Sequence, residues 1–563
     1  MKRFKLLFLT LTLILSLTLG VVACGDNGEN GGNGDGDVPK EPVIVNVEGT
    51  KGLKYELKTN ALKGTKYAVC SGIGTATDKD IVIASHYEGY LVKEVKQAAF
   101  KGNTNITSVK MVNAMEKLNL YTFQNCVNLE SVILPETLKS IGQNSFDGCE
   151  MLLNVCNDSL IEIKKGDTMH GSVGNYACNI YSSKSGEAGV YANEGDFKTF
   201  VFPNNKYVLK YSGNPNEIVF PEGTTGIYKD VFKDNTAITE IVFPKEISYI
   251  GKAAFSGCTS LQKVEFPAGT KIKELATMAF AGCEAITEFN YGGTLTEYLD
   301  IDFSNDTANP LNFAKTIKID GQVPFYLEIP SGITTIKACS FVNCQDIKTI
   351  IFPESVEVIE PFAFAHSSVE TFSFKGTSKL KEFKNNAFGY CPKLKELKLP
   401  KSLEKIGLQA FTECDSLLTV LIENDNNLEE IADKSFYHCS NLKAFAVGHN
   451  SKLKSIGADC FWECRKLAKF TFGNNSKLES IGASGFRECK PLKELYLPAT
   501  CVKIGDYCFS GCFTIREIED LQLYSAAPST PVGWGNNFNS SKVDVFFNTP
   551  YPVLPEDLSY FIS

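Results

Sequence analysis

The sequence predicts a β-rich solenoid, a curved stack of about fourteen coils of 23–25 residues held together by parallel sheet. Three observations predict this fold. Fourteen phenylalanines recur mostly at intervals of 23–25 residues, eleven of them are followed three residues later by cysteine, and similar apolar residues surround these pairs. We also expect a β-rich segment before the stack and a cap after it. The phenylalanines are Phe100, Phe123, Phe146, Phe232, Phe255, Phe280, Phe341, Phe364, Phe388, Phe411, Phe436, Phe461, Phe486 and Phe509.

The repeated unit shows why such coils stack. In residues 129–149, LESVILPETLKSIGQNSFDGC, Leu129, Val132 and Leu134 predict a short strand that Pro135 ends. One unit is too small to bury its own apolar face, whereas stacked units bury a continuous core. Closely similar units occur later in the chain, for example at 394–414 and 492–512.

Residues 1–23 have the pattern of an export signal. Three basic residues near the N-terminus precede an uncharged run over 6–19, which is shorter than the roughly 20 residues that span a membrane. The Val-Val-Ala-Cys sequence ending at Cys24 resembles the bacterial lipobox, and this implies cleavage before Cys24 and a diacylglycerol on its thiol. Residues 24–42, rich in Gly, Asn and Asp, predict a flexible tether. A plain secretory signal or an uncleaved anchor is the alternative.

Composition argues against several functions. A formal net charge of −9 disfavours nucleic-acid binding, which needs a clustered basic surface. Only 5 histidines are present, which leaves little material for metal sites or acid–base catalysis. The sequence contains no nucleophile elbow, zinc-protease motif, phosphate-binding loop or dinucleotide fingerprint. We therefore predict no enzymatic activity, no cofactor and no metal site.

The repeats over 91–515 resemble the leucine-rich repeats of BspA-like bacterial surface proteins, also called Treponema-type repeats, with a pattern of roughly LxxIxLPxxLxxIGxxAFxxC. The resemblance implies a leucine-rich repeat solenoid on the outside of a bacterium, often lipid- or wall-anchored and implicated in adhesion. Residues 43–90 are similar to the β-rich N-terminal cap of such proteins. The period is interrupted at 150–217 and 287–324, where the resemblance implies elongated repeats and projecting loops are the alternative. Residues 516–563 lose the repeat and are interpreted as a C-terminal cap.

Nineteen cysteines in an exported chain first suggest disulfides. The cysteines that follow the phenylalanines recur once per coil, so their parallel side chains do not present disulfide geometry and we expect buried thiols. His438 beside Cys439 suggests a catalytic dyad, but Cys439 is the ordinary repeat cysteine and no third residue orients the pair. Disulfide bonds remain an alternative for three pairs that each include a cysteine outside this pattern: Cys156 with Cys178, Cys460 with Cys464, and Cys508 with Cys512.

Lysines recur near the strand that each LxxVxF pattern predicts, at positions that should face solvent. Stacked coils would align them as a basic stripe, which on an acidic protein attracts sulfated glycans, anionic polymers or acidic partners. The alternative is a solvated face on which Glu396 and Glu494 cancel the charge and lysine discourages intermolecular strand pairing. The candidate ligand face consists of Lys348, Lys395, Lys398, Lys443, Lys469, Lys493 and Tyr496.

These features predict a lipid-anchored protein of the bacterial cell surface that faces the exterior. Its expected partner is an extracellular macromolecule such as a matrix protein, a glycan or a microbial surface component, and the expected role of this binding is adhesion to host or microbial surfaces. We expect no nucleic-acid partner, and contact with the membrane only through Cys24. Two alternatives remain: a surface hydrolase acting through an irregular segment, and a surface-coat or scaffold protein without a specific ligand. Polar side chains converging on a pocket within 150–217 or 287–324 would favour the hydrolase.

Overall fold

The structure is a computed structural model that describes residues 44–165, 172–173, 178–184, 186–214, 216–512, 521–527, 529–531, 533–534, 543–547, 549, 554 and 557–558. The predicted signal, Cys24 and the whole predicted tether, residues 24–42, lie outside these residues. Within them the longest helix has five residues, so no helix in this part of the chain reaches across a bilayer.

Each regular coil contributes two strands to the fold. A strand of three or four residues comes from the LxxVxF pattern, and a strand of two residues comes from the segment that precedes the phenylalanine. Successive coils pair in parallel and in register, as Leu397 does with Val420 and Val420 with Phe445. We term the two resulting surfaces the long-strand side and the short-strand side. About 18 coils stack in this way with almost no helix, which confirms the predicted solenoid.

The long-strand side consists of five consecutive sheets. Their strands are Asp80–Val82, Ser108–Lys110, Ser131–Leu134, Asn154–Asn157 and Asn179–Tyr181; Glu240–Val242, Lys263–Phe266, Glu288–Tyr291 and Lys318–Ile319; Tyr326–Glu328, Thr349–Phe352 and Thr371–Phe374; Glu396–Leu399, Thr419–Ile422, Ala444–Val447 and Lys469–Thr471; and Glu494–Leu497, Leu521–Ser525 and Val543–Phe546.

The short-strand side consists of three sheets. Their strands are Lys54–Thr59, Lys66–Gly72, His86–Tyr87, Tyr90–Val95, Lys117–Leu118 and Ser140–Ile141; Val190–Glu194, Phe197–Phe202, Asn205–Tyr211, Gly226–Ile227, Tyr249–Ile250, Glu274–Leu275 and Asp302–Phe303; and Thr335–Ile336, Val358–Ile359, Glu382–Phe383, Lys405–Ile406, Glu430–Ile431, Ser455–Ile456, Ser480–Ile481, Lys503–Ile504 and Gly533–Trp534. Lys164–Lys165 and Ser172–Val173 form a separate pair. The helices are Leu295–Leu299, the 3-10 turn Asp306–Ala308 and Leu311–Ala314.

The number of coils is higher than the predicted fourteen. Counting phenylalanines missed coils that lack this residue but still pair in parallel with their neighbours. Asn154–Asn157 and Asn179–Tyr181 belong to such coils, and so does Leu521–Ser525 beyond the last phenylalanine of the column. Parallel strand pairing therefore continues the stack where the phenylalanine of the interior is missing.

The phenylalanine column lies in the interior, as predicted. The Phe411 side chain is completely buried, and its ring centroid lies 5.8 Å from that of Phe388 and 5.3 Å from that of Phe436. The three rings are nearly parallel, so each coil places its aromatic ring on the ring of the coil before it. Every coil in such a stack depends on its two neighbours for burial.

The cysteine column satisfies backbone carbonyls between the coils. Ten thiols donate to the carbonyl of the phenylalanine one coil earlier at 3.0–3.2 Å, as Cys439 Sγ does to Phe411 O. All 18 described cysteines are buried, which confirms the predicted buried thiols. The structure forms none of the three bridges that the sequence left open, between Cys156 and Cys178, Cys460 and Cys464, or Cys508 and Cys512.

The second irregular segment, 287–324, stays within the stack as an elongated coil. Thr294 and Glu297 form a capping box that starts the helix Leu295–Leu299. This helix directs Tyr298 inward, where its ring lies 5.4 Å from Phe341 and its hydroxyl donates to Ser340 O at 2.7 Å. Tyr298 thereby continues the aromatic column across the interruption.

The first irregular segment, 150–217, contains two more long strands and then an antiparallel meander. The last meander strand, Asn205–Tyr211, pairs in parallel with Gly226–Ile227 and so leads back into the coils. Buried side chains separate into two clusters at this segment, one from Ala68 to Cys178 and the other from Leu153 to Trp534. We therefore expect the stack to unfold in at least two units.

Candidate binding face

Many lysines on the coil surface pair with an acid of a neighbouring coil. Glu116 Oε1 and Oε2 lie 2.7 and 2.8 Å from the ammonium groups of Lys93 and Lys139, and although burial opposes it, these hydrogen bonds lower the pKa of Glu116. Lys395 Nζ likewise lies 2.5 Å from Glu370 Oε2 and lowers the pKa of that carboxyl. These ion pairs between coils cancel charge locally, so a lysine that belongs to such a pair adds little to a basic surface.

The observed register does not produce one continuous lysine stripe. Glu396, Thr419, Ala444 and Lys469 lie beside one another on four successive strands. The residues that precede them form the adjacent column, in which lysine alternates with apolar residues: Lys395, Leu418, Lys443 and Ala468. Lys469 therefore lies one column away from Lys443, rather than in line with it.

The other predicted ligand-face residues are also dispersed. Lys398 lies in a third column, beside Leu421, and Lys348 belongs to an earlier sheet, where its Nζ donates to Gln345 O at 2.8 Å. Lys493 precedes the strand Glu494–Leu497 and is exposed, and Tyr496 is half-buried within that strand. Of the seven predicted residues, the structure brings only Lys443 and Lys469 together in one groove.

Lys443, Lys466 and Lys469 line this groove on the long-strand side, and we term it the lysine groove. Its volume is about 620 Å³. Its apolar lining residues are Leu418, Ala444, Ala468 and Pro491, which we term the apolar floor. Lys443 and Lys466 make no ion pair with any acid in the described part of the chain, although Lys466 Nζ donates to Asn441 Oδ1 at 2.5 Å. Its lining residues are Leu418, Thr419, Lys443, Ala444, Lys466, Ala468, Lys469 and Pro491.

An aromatic column follows on the same side of the stack. Tyr496, Tyr524 and Phe546 occupy matching outward positions on three paired strands, with ring centroids 4.6 and 5.1 Å apart. Tyr524 Oη donates to Gln522 Oε1 at 2.5 Å, and Phe546 is 42% exposed. Aromatic residues are enriched at the centre of protein interfaces. The lysine groove and this aromatic column together form the candidate binding face.

The candidate dyad of His438 and Cys439 does not form. Cys439 Sγ donates to Phe411 O, and burial raises the pKa of this thiol well above its ordinary value. His438 Nε2 lies instead 2.6 Å from Glu463 Oε2. A neutral, buried thiol whose hydrogen is directed to a carbonyl is not an activated nucleophile.

Two polar side chains of the irregular segments, Asp158 and Asn309, make hydrogen bonds within the stack. Asn309 Nδ2 donates to Tyr298 Oη and to the carbonyls of Cys339 and Ser340. In the described part of the first segment, Asp158 accepts hydrogen bonds from Ser182 and Ser183. No group of three His, Cys, Asp or Glu side chains suited to a metal ion occurs among the described residues.

The buried thiols predict a chemical result. Burial raises the pKa of Cys391 from 9.0 to about 12, so the native chain should resist N-ethylmaleimide at pH 8 and react fully after unfolding in guanidinium. Because the neutral thiol is favoured in the folded state, its contribution to stability is present below pH 9 and is lost as pH rises toward 12. Peptide mass spectrometry measures the labelling. A repeat cysteine that reacts in the native chain as fast as a free thiol would contradict its burial.

Comparisons with known proteins agree with this architecture. The model of the BspA type leucine rich repeat region, with six copies, matches residues 86–168, 203–327, 325–443 and 421–523. A comparison with curated proteins found no significant match.

Solved structures of bacterial repeat proteins are also similar over most of the chain. A leucine-rich repeat protein from Bacteroides ovatus is 19% identical to this chain and has a TM-score of 0.35. The match covers 84% of this chain and 92% of the Bacteroides ovatus chain. A leucine rich cell surface protein from Faecalibacterium prausnitzii is 16% identical over 77% and 96% of the two chains, with a TM-score of 0.29. A pneumococcal vaccine antigen is 19% identical over 64% and 88%, with a TM-score of 0.31.

Proposed function

Because the chain belongs to the family of BspA-type leucine-rich repeat proteins, we propose that it is a bacterial surface protein that binds an extracellular macromolecule and thereby mediates adhesion. In this proposal a lipid on Cys24 anchors the chain, residues 24–42 act as a tether, and the solenoid presents the candidate binding face to the exterior. The partner is a matrix protein, a glycan or a component of another microbial surface.

The single observation that carries the proposal is the candidate binding face itself. Many lysines elsewhere on the coils are neutralised by carboxylates, whereas Lys443 and Lys466 have no acidic partner in the described part of the chain and border an apolar floor. The aromatic column adds aromatic side chains on three further strands of the same side of the stack. Apolar surface edged by charge is typical of interaction sites.

The fold also favours binding over catalysis. The face is built on hydrogen-bonded parallel strands, so its backbone is ordered before a partner arrives and no backbone entropy of a loop is lost on association. The candidate nucleophile, Cys439, is buried, and the polar groups of Asp158 and Asn309 are used within the stack. These features support a binding protein without enzymatic activity.

A binding panel tests the function. Purified chain is presented to immobilised matrix proteins, to glycans and to intact bacterial cells, and bound protein is measured in buffers of increasing salt. We expect capture by at least one of these surfaces, weakening as salt screens the lysines beyond about 8 Å at physiological ionic strength. Absence of capture by every surface would reject adhesion and favour the surface-coat or scaffold alternative.

Anchoring is tested separately by the substitution Cys24→Ala. We expect the wild-type chain to incorporate a fatty-acid analogue during growth and the variant to incorporate none, since only the Cys24 thiol takes the lipid in this proposal. Cys70→Ala is the matched control, because Cys70 is a buried thiol within the fold. Equal labelling of the wild-type chain and the Cys24→Ala variant would disprove the lipoprotein assignment.

A further inference from the structure

We propose that the lysine groove binds an acidic, amphipathic peptide segment of a partner protein. Apolar side chains of the segment would lie on Ala444 and Ala468, and its carboxylates would meet Lys443, Lys466 and Lys469. The inference rests on the proposed binding function and names the chemistry of its partner.

The apolar floor of the groove offers space and apolar surface for the side chains of a partner. Two small side chains, Ala444 and Ala468, leave room above the strands, and Leu418 keeps 39% of its surface exposed beside them. The volume of about 620 Å³ falls within the range of about 300–1,000 Å³ that is usual for ligand pockets. Burying apolar side chains here would stabilise a complex by removing apolar surface of both partners from water.

The lysines around the apolar floor provide the positive charge that favours an acidic partner. Three ammonium groups border one groove in a chain whose formal net charge is −9, so the groove differs in sign from the protein as a whole. Lys443 and Lys466 are available because no described carboxylate pairs with them, whereas Lys395 on the same side is held by Glu370. Carboxylates placed at this rim gain attraction that steers association.

The lining favours a peptide over a sulfated glycan. Apart from the lysines, Thr419 is the single lining residue with a polar side chain, and no aromatic ring borders the groove. Sugar hydroxyls buried against Leu418, Pro491 and the alanines would lose hydrogen bonds to water without replacement. The leucine or isoleucine side chains of a peptide that alternates apolar and acidic residues have no hydrogen bonds to water to lose.

Fluorescence anisotropy with the purified full chain tests the proposal. The probe is a labelled amphipathic peptide of leucine and glutamate, compared with one peptide in which serine replaces leucine, one in which glutamine replaces glutamate, and a labelled heparin oligosaccharide. We expect only the leucine–glutamate peptide to bind well. Lys443→Glu with Lys466→Glu should weaken its binding at least tenfold, and Leu418→Ser should weaken it severalfold.

A matched control separates local charge from total charge. Lys117→Glu with Lys503→Glu changes net charge equally at exposed positions of the short-strand side, and we expect unchanged peptide binding. Heparin binding in place of peptide binding would overturn the proposal, as would equal loss in the control variant. If the peptide fails to bind while the binding panel still shows capture, the peptide assignment is wrong and the binding function stands. A negative panel instead rejects the function on which the inference rests.

Discussion

Replacing Phe411 with alanine should lower the free energy of unfolding by about 3–5 kcal/mol, as expected for removal of a buried aromatic side chain. Phe411 is completely buried between the rings of Phe388 and Phe436 and also contacts Phe383 edge to face. Each coil contacts mainly its neighbours, so the damage should be local and should divide unfolding at this coil. Denaturant unfolding measures the loss, and hydrogen exchange locates it.

Leu408→Ala is the matched control for Phe411→Ala. Leu408 belongs to the same coil but is 38% exposed, so its loss should change stability far less. A change under about 1 kcal/mol for Phe411→Ala would show that the phenylalanine column is not the core.

Replacing Tyr298 with alanine should cost a similar amount, about 3–5 kcal/mol, although the residue lies in an irregular segment. Its side chain is completely buried, its ring bridges Tyr291 and Phe341, and its hydroxyl donates to Ser340 O. The loss should appear as reduced exchange protection in the coils on both sides of 287–324. A projecting loop at this segment would give a change near zero.

The substitution Tyr298→Phe separates the ring from the hydroxyl. It keeps the aromatic contact and removes two hydrogen bonds, the one that the hydroxyl donates to Ser340 O and the one that it accepts from Asn309 Nδ2. We expect a cost of about 0.5–1.5 kcal/mol for each bond. Asn309 keeps its bonds to the carbonyls of Cys339 and Ser340, so no buried amide hydrogen loses every partner. Equal losses for Tyr298→Phe and Tyr298→Ala would contradict the packing role of the ring.

The interior of the regular coils could be predicted from the sequence because one physical requirement repeats in each of them. A large ring and a small thiol recur at fixed separation, and the structure stacks the rings and directs thiols such as Cys439 to the carbonyl one coil earlier. Pro135 likewise follows directly after the strand Ser131–Leu134, as its missing N–H implies. Coils without phenylalanine, such as the one at Asn154–Asn157, gave no such signal.

The surface was predicted less well, because the register between coils determines which surface side chains become neighbours. Counting seven residues onward from Phe388, Phe411, Phe436 and Phe461 gives the column Lys395, Leu418, Lys443 and Ala468. In this column Leu418 and Ala468 alternate with the two lysines, and Lys469 lies one position later in the chain. The sequence therefore contained enough information to show that the lysines do not form one stripe. Lys466 and Pro491 could not be found in this way, because they lie on turns outside the strand pattern and reach the groove only through stacking.

The most direct test of the account is binding of the purified chain to the surface that captures it in the panel, compared between wild type and Lys443→Glu with Lys466→Glu. We predict that the double variant loses at least tenfold in affinity with unchanged thermal stability, while Lys117→Glu with Lys503→Glu binds like wild type. Unaltered binding by the groove variant would contradict the assignment of this face.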